Sequence, residues 1–174
     1  MGFSLVRRKR IESDLRDLRE LEAKSGGMMR IVEYGEDRIK IRLDGIPGLV
    51  YNNGRVSRIT HHEFVIRLPS RYPVERPQVH FITDIFHPNI FSSKEVCLGD
   101  KWDPSRSLAD LVLDIVDIIQ WEPRMINLRS PANTEAKKWY ERNKNSVKNI
   151  VRPVKFPPEG AARGSGFDDF EIIG

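Results

Sequence analysis

The chain has a single cysteine, Cys97, in 174 residues. One thiol can form neither an internal disulfide nor a cysteine-rich metal cage, so a packed residue or a nucleophile remains. Histidine is scarce as well. His61, His62, His80 and His87 are the only four, and they lack the spacing of a zinc site. No apolar run approaches the length that spans a bilayer, so no membrane partner is expected. The start places a short apolar patch ahead of Arg7, Arg8, Lys9 and Arg10, the wrong order for a secretory signal. Val6 leaves the myristoylation pattern after Gly2 incomplete. One thiol without an export pattern points to a reducing, cytoplasmic setting. The net charge is only +4, so the basicity is local. The basic residues are not interleaved with aromatic ones, which argues against a nucleic-acid partner; salt-dependent oligonucleotide binding would be the sign of one.

What is present reads as a soluble, globular chain, 39% hydrophobic and 31% charged, of a length that suits one domain. Residues 5–24 form a helical pattern, with Ile11, Leu15, Leu18 and Leu21 on one apolar stripe and Gly26-Gly27 as the stop. Short alternating segments follow at 29–33, 38–43, 63–68 and 79–82, and these read as strands. Asp44-Gly45, Pro47-Gly48 and Asn52-Asn53-Gly54 read as the turns between them. Connections this short favour an antiparallel meander over a parallel sheet. After Cys97, residues 107–120 form a second helix, with Ser107 as cap and Asp110 at the capping-box position. A third helix is expected over 134–148 with Thr134 as cap. Trp102, Trp121 and Trp139 read as packing residues. Residues 155–166 are rich in Pro and Gly and read as a linker, and 167–174 alternate acidic and apolar residues. The division is then a domain over 1–152 and a linker with tail over 153–174. The fold class is α+β: a helix, a four-stranded antiparallel meander, an extended Cys-bearing segment and C-terminal helices on one face.

Familiar thiol chemistries do not fit. A phosphatase loop needs Arg six positions after the cysteine, where Asp103 stands. A thioredoxin-type site needs a second cysteine. A papain-like site needs a cysteine opening a helix and a histidine base, and His87 beside Pro88 is better placed for a structural hydrogen bond. A thiol that receives and passes on an acyl group does fit. A thioester carries its own activation, so the protein needs only to position it, steady an oxyanion and admit an amine. The amide of Asn89, eight residues before Cys97, suits the second task. After Pro88 it is also suited to stabilising a turn.

Four elements then recur in order: Tyr72-Pro73-Val74-Glu75-Arg76-Pro77, Val79-His80-Phe81, Phe86-His87-Pro88-Asn89-Ile90 and Val96-Cys97-Leu98. Together they resemble the signature of ubiquitin-conjugating enzymes. Trp102 with Pro104, and Ser130-Pro131-Ala132-Asn133 leading into a final helix, extend the likeness over roughly residues 5–150. The resemblance implies the UBC fold and a transferase. Cys97 would take a ubiquitin-like modifier as a thioester from an activating enzyme and pass it to a substrate lysine. No cofactor is implied on this chain, since ATP is used by the activating enzyme.

The resemblance also assigns roles. Asn89 would stabilise the oxyanion or the loop that carries it, and His87 would hold that loop. Ser130 would orient the incoming lysine, though before Pro131 it equally suits turn punctuation. Leu113, on the solvent side of the 107–120 helix, would hold the donor modifier. Val74 and Pro104 would meet a ligase, and Arg7, Arg8 and Arg10 the activating enzyme. Three departures stand out: the span from Cys97 to Trp102 is short, the segment after Gly45 is long, and Arg76 replaces a customary Pro. They leave the modifier and the ligase surface open and suggest a divergent branch, a prokaryotic one among the options. A non-catalytic variant that only binds ubiquitin-like proteins is the competing reading, and Cys97 itself speaks against it.

Overall fold

Asn53 and Gly54 both adopt positive φ, 50° and 79°, the signature of a two-residue hairpin turn whose twist matches its flanking strands. They join the two longest strands of a computed structural model that describes residues 4–160. The elements are α1 (Leu5–Lys24), β1 (Met29–Tyr34), β2 (Arg38–Asn52), β3 (Arg55–Arg67), β4 (Gln78–Phe81), α2 (Leu108–Ile119), a single 3-10 turn (Pro123–Met125), α3 (Thr134–Asn143) and α4 (Val147–Val151). The strands form one antiparallel sheet in the order β1-β2-β3-β4, the meander expected from the short connections.

Two of the expected turns are not turns. β2 runs unbroken through Asp44-Gly45 and Pro47-Gly48, and its register against β3 shifts between Asp44 and Gly48. Turn-forming residues here build a bulge, which bends the strand without ending it. Gly48 also permits a close approach. A Cβ there would lie 2.8 Å from Cγ2 of Ile119 on α2 and 3.0 Å from the ring of His62. Beside the bulge, His62 is fully buried and its Nε2 donates to the carbonyl of Ile46 at 2.8 Å. Burial lowers its pKa to about 4, against the opposing effect of that carbonyl. The folded pKa lies below the unfolded one of about 6.5, so this contribution is present above pH 6.5 and is lost as pH falls toward 4. Between pH 7 and pH 5 the loss is about 2 kcal/mol. Urea unfolding of the native chain and of His62→Gln at both pH values checks this. The variant is expected to lose about 2 kcal/mol less over that interval.

The stripe of α1 carries an ionic centre that the apolar spacing concealed. Asp14 is 1% exposed. Its carboxylate accepts from Tyr72 Oη at 2.5 Å, from Arg10 Nε at 2.9 Å and from the backbone N–H of Leu108 at 3.1 Å. One side chain thus joins α1, the Tyr-Pro turn and the first residue of α2. Burial and the Asp14 carboxylate both raise the Tyr72 pKa above its ordinary value, so the phenol stays a donor. Asn in place of Asp14 offers one oxygen to donors arriving on two sides. Asp14→Asn is expected to cost about 2–3 kcal/mol of stability, read as a drop in denaturation midpoint at unchanged slope.

α2 forms as its sequence predicts. Ser107 and Asp110 make a reciprocal capping box, and Leu108, Leu111, Val112, Ile115, Val116, Ile118 and Ile119 are buried. With α1 and the inner face of the sheet they enclose the main core. The helix expected over 134–148 is instead two helices. Its cap is Asn133, whose side chain accepts from Ala136 N–H at 3.0 Å. α3 ends where Asn143 turns its amide back onto the carbonyl of Trp139 at 2.8 Å and Ser146 N–H bonds to Asn143 O, local bonds that compete with helix continuation. Trp121, Tyr140, Val147 and Val151 form a second core with Leu49 and Phe86, against which Trp139 packs. Trp102 is partly buried and donates to Pro73 O at 2.7 Å. After α4 the chain lies along the body. Gln120 exchanges two hydrogen bonds with the backbone of Val154, and Phe156 packs on the main core. The acidic and apolar stretch over 167–174 lies outside the described residues.

Candidate functional site

The segment from Phe86 to Ile90 is pinned from every side. Phe86 N–H bonds to Leu49 O on β2 at 2.8 Å. Pro88 O accepts from the N–H groups of Ala132 and Asn133 at 2.8 and 3.1 Å, which fixes the approach to α3. Cys97 N–H donates to Asn89 O at 2.7 Å, beside an isolated bridge between Ile90 and Val96. The cysteine and the asparagine are therefore neighbours through the backbone, and the eight-residue interval between them is the loop that brings them together.

His87 is fully buried, 4.8 Å ring to ring from Trp121. Burial lowers its pKa to about 3, so the ring is neutral at physiological pH. Its Nδ1 accepts from Asn89 N–H at 2.9 Å, which leaves the ring proton on Nε2. An enclosed neutral imidazole of this kind orients Asn89 and has no path to act as a base on Cys97.

The amide of Asn89, 6% exposed, is engaged at both ends. Its Nδ2 donates to Met125 O at 2.5 Å and its Oδ1 accepts from Asn127 N–H at 2.9 Å. An amide nitrogen carries two donors, and the second has no protein partner among the described residues. Asn127 extends the chain of bonds. Its Oδ1 accepts from the N–H groups of Arg129 and Ser130, both at 3.1 Å. Ser130 is exposed, three residues beyond the side chain that sets its loop. Sequence reasoning missed Asn127. The available signal was an Asn placed just before a polar turn, where its carbonyl bonds forward along the chain.

Cys97 is a free, partly exposed thiol on the wall of a groove of about 230 Å³. Asn89, Asn127, Met125 and Trp102 share that wall. So do Arg76, Lys101, Arg106, Arg124 and Asp114. Arg106 pairs with Asp114 at 2.6 Å, and Arg124 with Asp117. Desolvation holds the Asp117 carboxyl above its ordinary pKa, against the pull of Arg124. Among the described residues no cluster of three or more His, Cys, Asp or Glu is placed to hold a metal ion. No helix among them is long and apolar enough to cross a membrane.

The remaining predicted residues divide. Val74 is 66% exposed and Pro104 is exposed, so both present a surface. Arg8 is exposed on α1 as well. Arg7 is not: it is 2% exposed, with Nε and Nη2 donating to the carbonyls of Pro69 and Leu68 at 3.1 and 3.0 Å. The basic run winds once around the helix, so one of its members must face inward, and Arg7 ties α1 to the loop after β3. Arg10 is half-buried on Asp14 and also donates to the carbonyls of Pro104 and Arg106. Leu113 is likewise half-buried against the main core, not fully on the solvent side. α2 is apolar over more than one face, and Leu113 lies at the margin of its buried stripe.

Comparison with known proteins agrees with this geometry. A sequence model of the ubiquitin-conjugating enzyme family matches residues 10–154. Ubiquitin-conjugating enzyme E2 2 of Fusarium solani is 34% identical over 91 residues, covering 51% of this chain and 58% of its own length. The protein of that name from Mycosarcoma maydis is 33% identical over 113 residues, covering 63% of this chain and 55% of its own length. A probable ubiquitin-conjugating enzyme E2 of Encephalitozoon cuniculi is 30% identical over 117 residues, or 57% of this chain and 52% of its own. The chain spans only a little over half the length of these relatives. The match to the family model covers the sheet, the cysteine-bearing segment and α2 to α4, and the chain belongs to the ubiquitin-conjugating enzyme family.

Proposed function

We propose that Cys97 accepts the C-terminal carboxyl of a ubiquitin-like protein as a thioester from an activating enzyme and transfers it to a substrate amine. One observation carries this reading: the only thiol of the chain is partly exposed on a groove whose wall also holds the amide of Asn89. Thioester aminolysis needs a positioned carbonyl, a donor for the developing oxyanion and room for the amine. Cys97, the free Nδ2 donor of Asn89 and the exposed loop at Ser130 are suited to these three needs in turn.

On this reading the chain itself requires no cofactor, and ATP is consumed by the activating enzyme. Of Arg7, Arg8 and Arg10, Arg8 is the one left exposed and suited to an activating enzyme. Val74 and Pro104 are suited to a ligase, and the rim of Leu113 to the donor modifier. The setting is cytoplasmic. The direct test is charging. The chain is incubated with ubiquitin, its activating enzyme and ATP, and also with other modifiers ending in Gly and their activating enzymes. The expected product is a one-to-one adduct that dissolves under thiol reductant and maps to Cys97 by peptide mass. Prior alkylation of Cys97 is expected to prevent it.

A further inference from the structure

The charge on the groove wall is unbalanced. Arg106 and Arg124 are each neutralised by a carboxylate of α2. Among the described residues Arg76 donates only to the carbonyl of Gly99, which carries no charge. Lys101 has no ion pair among the described residues, and Asp100 beside it does not line the groove. Two uncompensated cations therefore stand at one stretch of the wall, since Arg76 holds the segment that carries Lys101.

Both lie on segments that flank the thiol: Arg76 in the Tyr-Pro turn, and Lys101 between Cys97 and Trp102. The two segments meet in one contact, between the Arg76 guanidinium and Gly99 O. An extended peptide lying in this groove with its terminal carbonyl at Cys97 would bring its preceding side chains beside Arg76 and Lys101. We infer that the groove selects a modifier whose C-terminal segment carries acidic side chains just before its last glycines, and that Arg76 and Lys101 read them. This rests on the thioester reading of Cys97.

The test needs neither the modifier nor its activating enzyme. Three acetylated hexapeptide ethyl thioesters are offered to the full chain: Asp-Leu-Asp-Leu-Gly-Gly, Ser-Leu-Ser-Leu-Gly-Gly and Arg-Leu-Arg-Leu-Gly-Gly. In the reaction Cys97 Sγ bonds to the thioester carbonyl carbon, the bond to ethanethiol sulfur breaks, and ethanethiol leaves with the proton lost by Cys97. Intact mass gives the rate of acylation. The acidic peptide is expected to react about tenfold faster than the basic one at low salt, with the neutral one between them. The gap should close in 1 M NaCl, where opposed exposed charges are screened. Arg76→Glu combined with Lys101→Glu should reverse the order. Equal rates for acidic and basic peptides at low salt, or a preference that ignores salt in the native chain, would overturn the assignment. Failure of all three peptides to acylate Cys97 would overturn the thioester reading itself, and with it this one.

Discussion

Cys97→Ala is expected to form no adduct at all, whereas Cys97→Lys should form one that survives reductant and Cys97→Ser one that survives reductant but not hydroxide. The series follows from which atom attacks the incoming thioester. A thiol gives a thioester, which a competing thiol reverses. A hydroxyl gives an oxyester, inert to thiols and open to alkaline hydrolysis. An amine gives an amide, stable to both. Methyl offers no nucleophile. The fold should tolerate the alanine variant. The bond that seats this residue runs from its backbone N–H to Asn89 O and does not involve the sulfur. The side chain is partly exposed and leaves no closed cavity behind. Denaturing gels with and without thiol, together with intact mass, read the series. Because the chain has no second cysteine, a reductant-sensitive adduct on Cys97→Ala would disprove the carrier role.

The parts of this site that were legible in the sequence are those written in local chemistry. The capping box at Ser107 and Asp110, the Gly pair after α1 and the Asn-Gly hairpin each depend on residues a few positions apart, and each appears where the sequence puts it. The pairing of Asn89 with Cys97 was also legible, because a short loop can bring such neighbours together. What was hidden depends on partners far along the chain. Nothing within α1 reveals that Asp14 meets Tyr72 and Leu108, at separations of 58 and 94 residues. Nothing in the run Arg7 to Arg10 reveals that two of its members bond to carbonyls 61 to 96 residues away. The bulge in β2 was misread for a related reason. Gly and Pro mark an irregular backbone, and whether the chain then reverses or bends is decided by the strand it lies against.

Asn89→Ala should slow discharge to free lysine by about 10²–10³ while slowing loading by less than tenfold. The two steps differ in what surrounds the oxyanion. On the thioester reading, the activating enzyme would contribute groups of its own during loading. In discharge to free lysine the activating enzyme is absent, so on the thioester reading this chain would supply the donor. The structure adds a complication, because Asn89 also grips the loop at Met125 and Asn127 that leads to Ser130. A loss on discharge could then come from a missing donor or from a slack loop, and the two leave different signatures. Asn127→Ala keeps the amide of Asn89 and the backbone N–H it bonds to, but removes the oxygen that holds the N–H groups of Arg129 and Ser130. It slackens the loop alone. Its expected effect is a higher KM for lysine with kcat lowered less than tenfold, whereas Asn89→Ala should act mainly on kcat. Single-turnover discharge of the preformed thioester at varied lysine concentration separates the two constants. Matching kcat losses in the two variants would assign Asn89 to holding the loop and would leave the oxyanion to another donor.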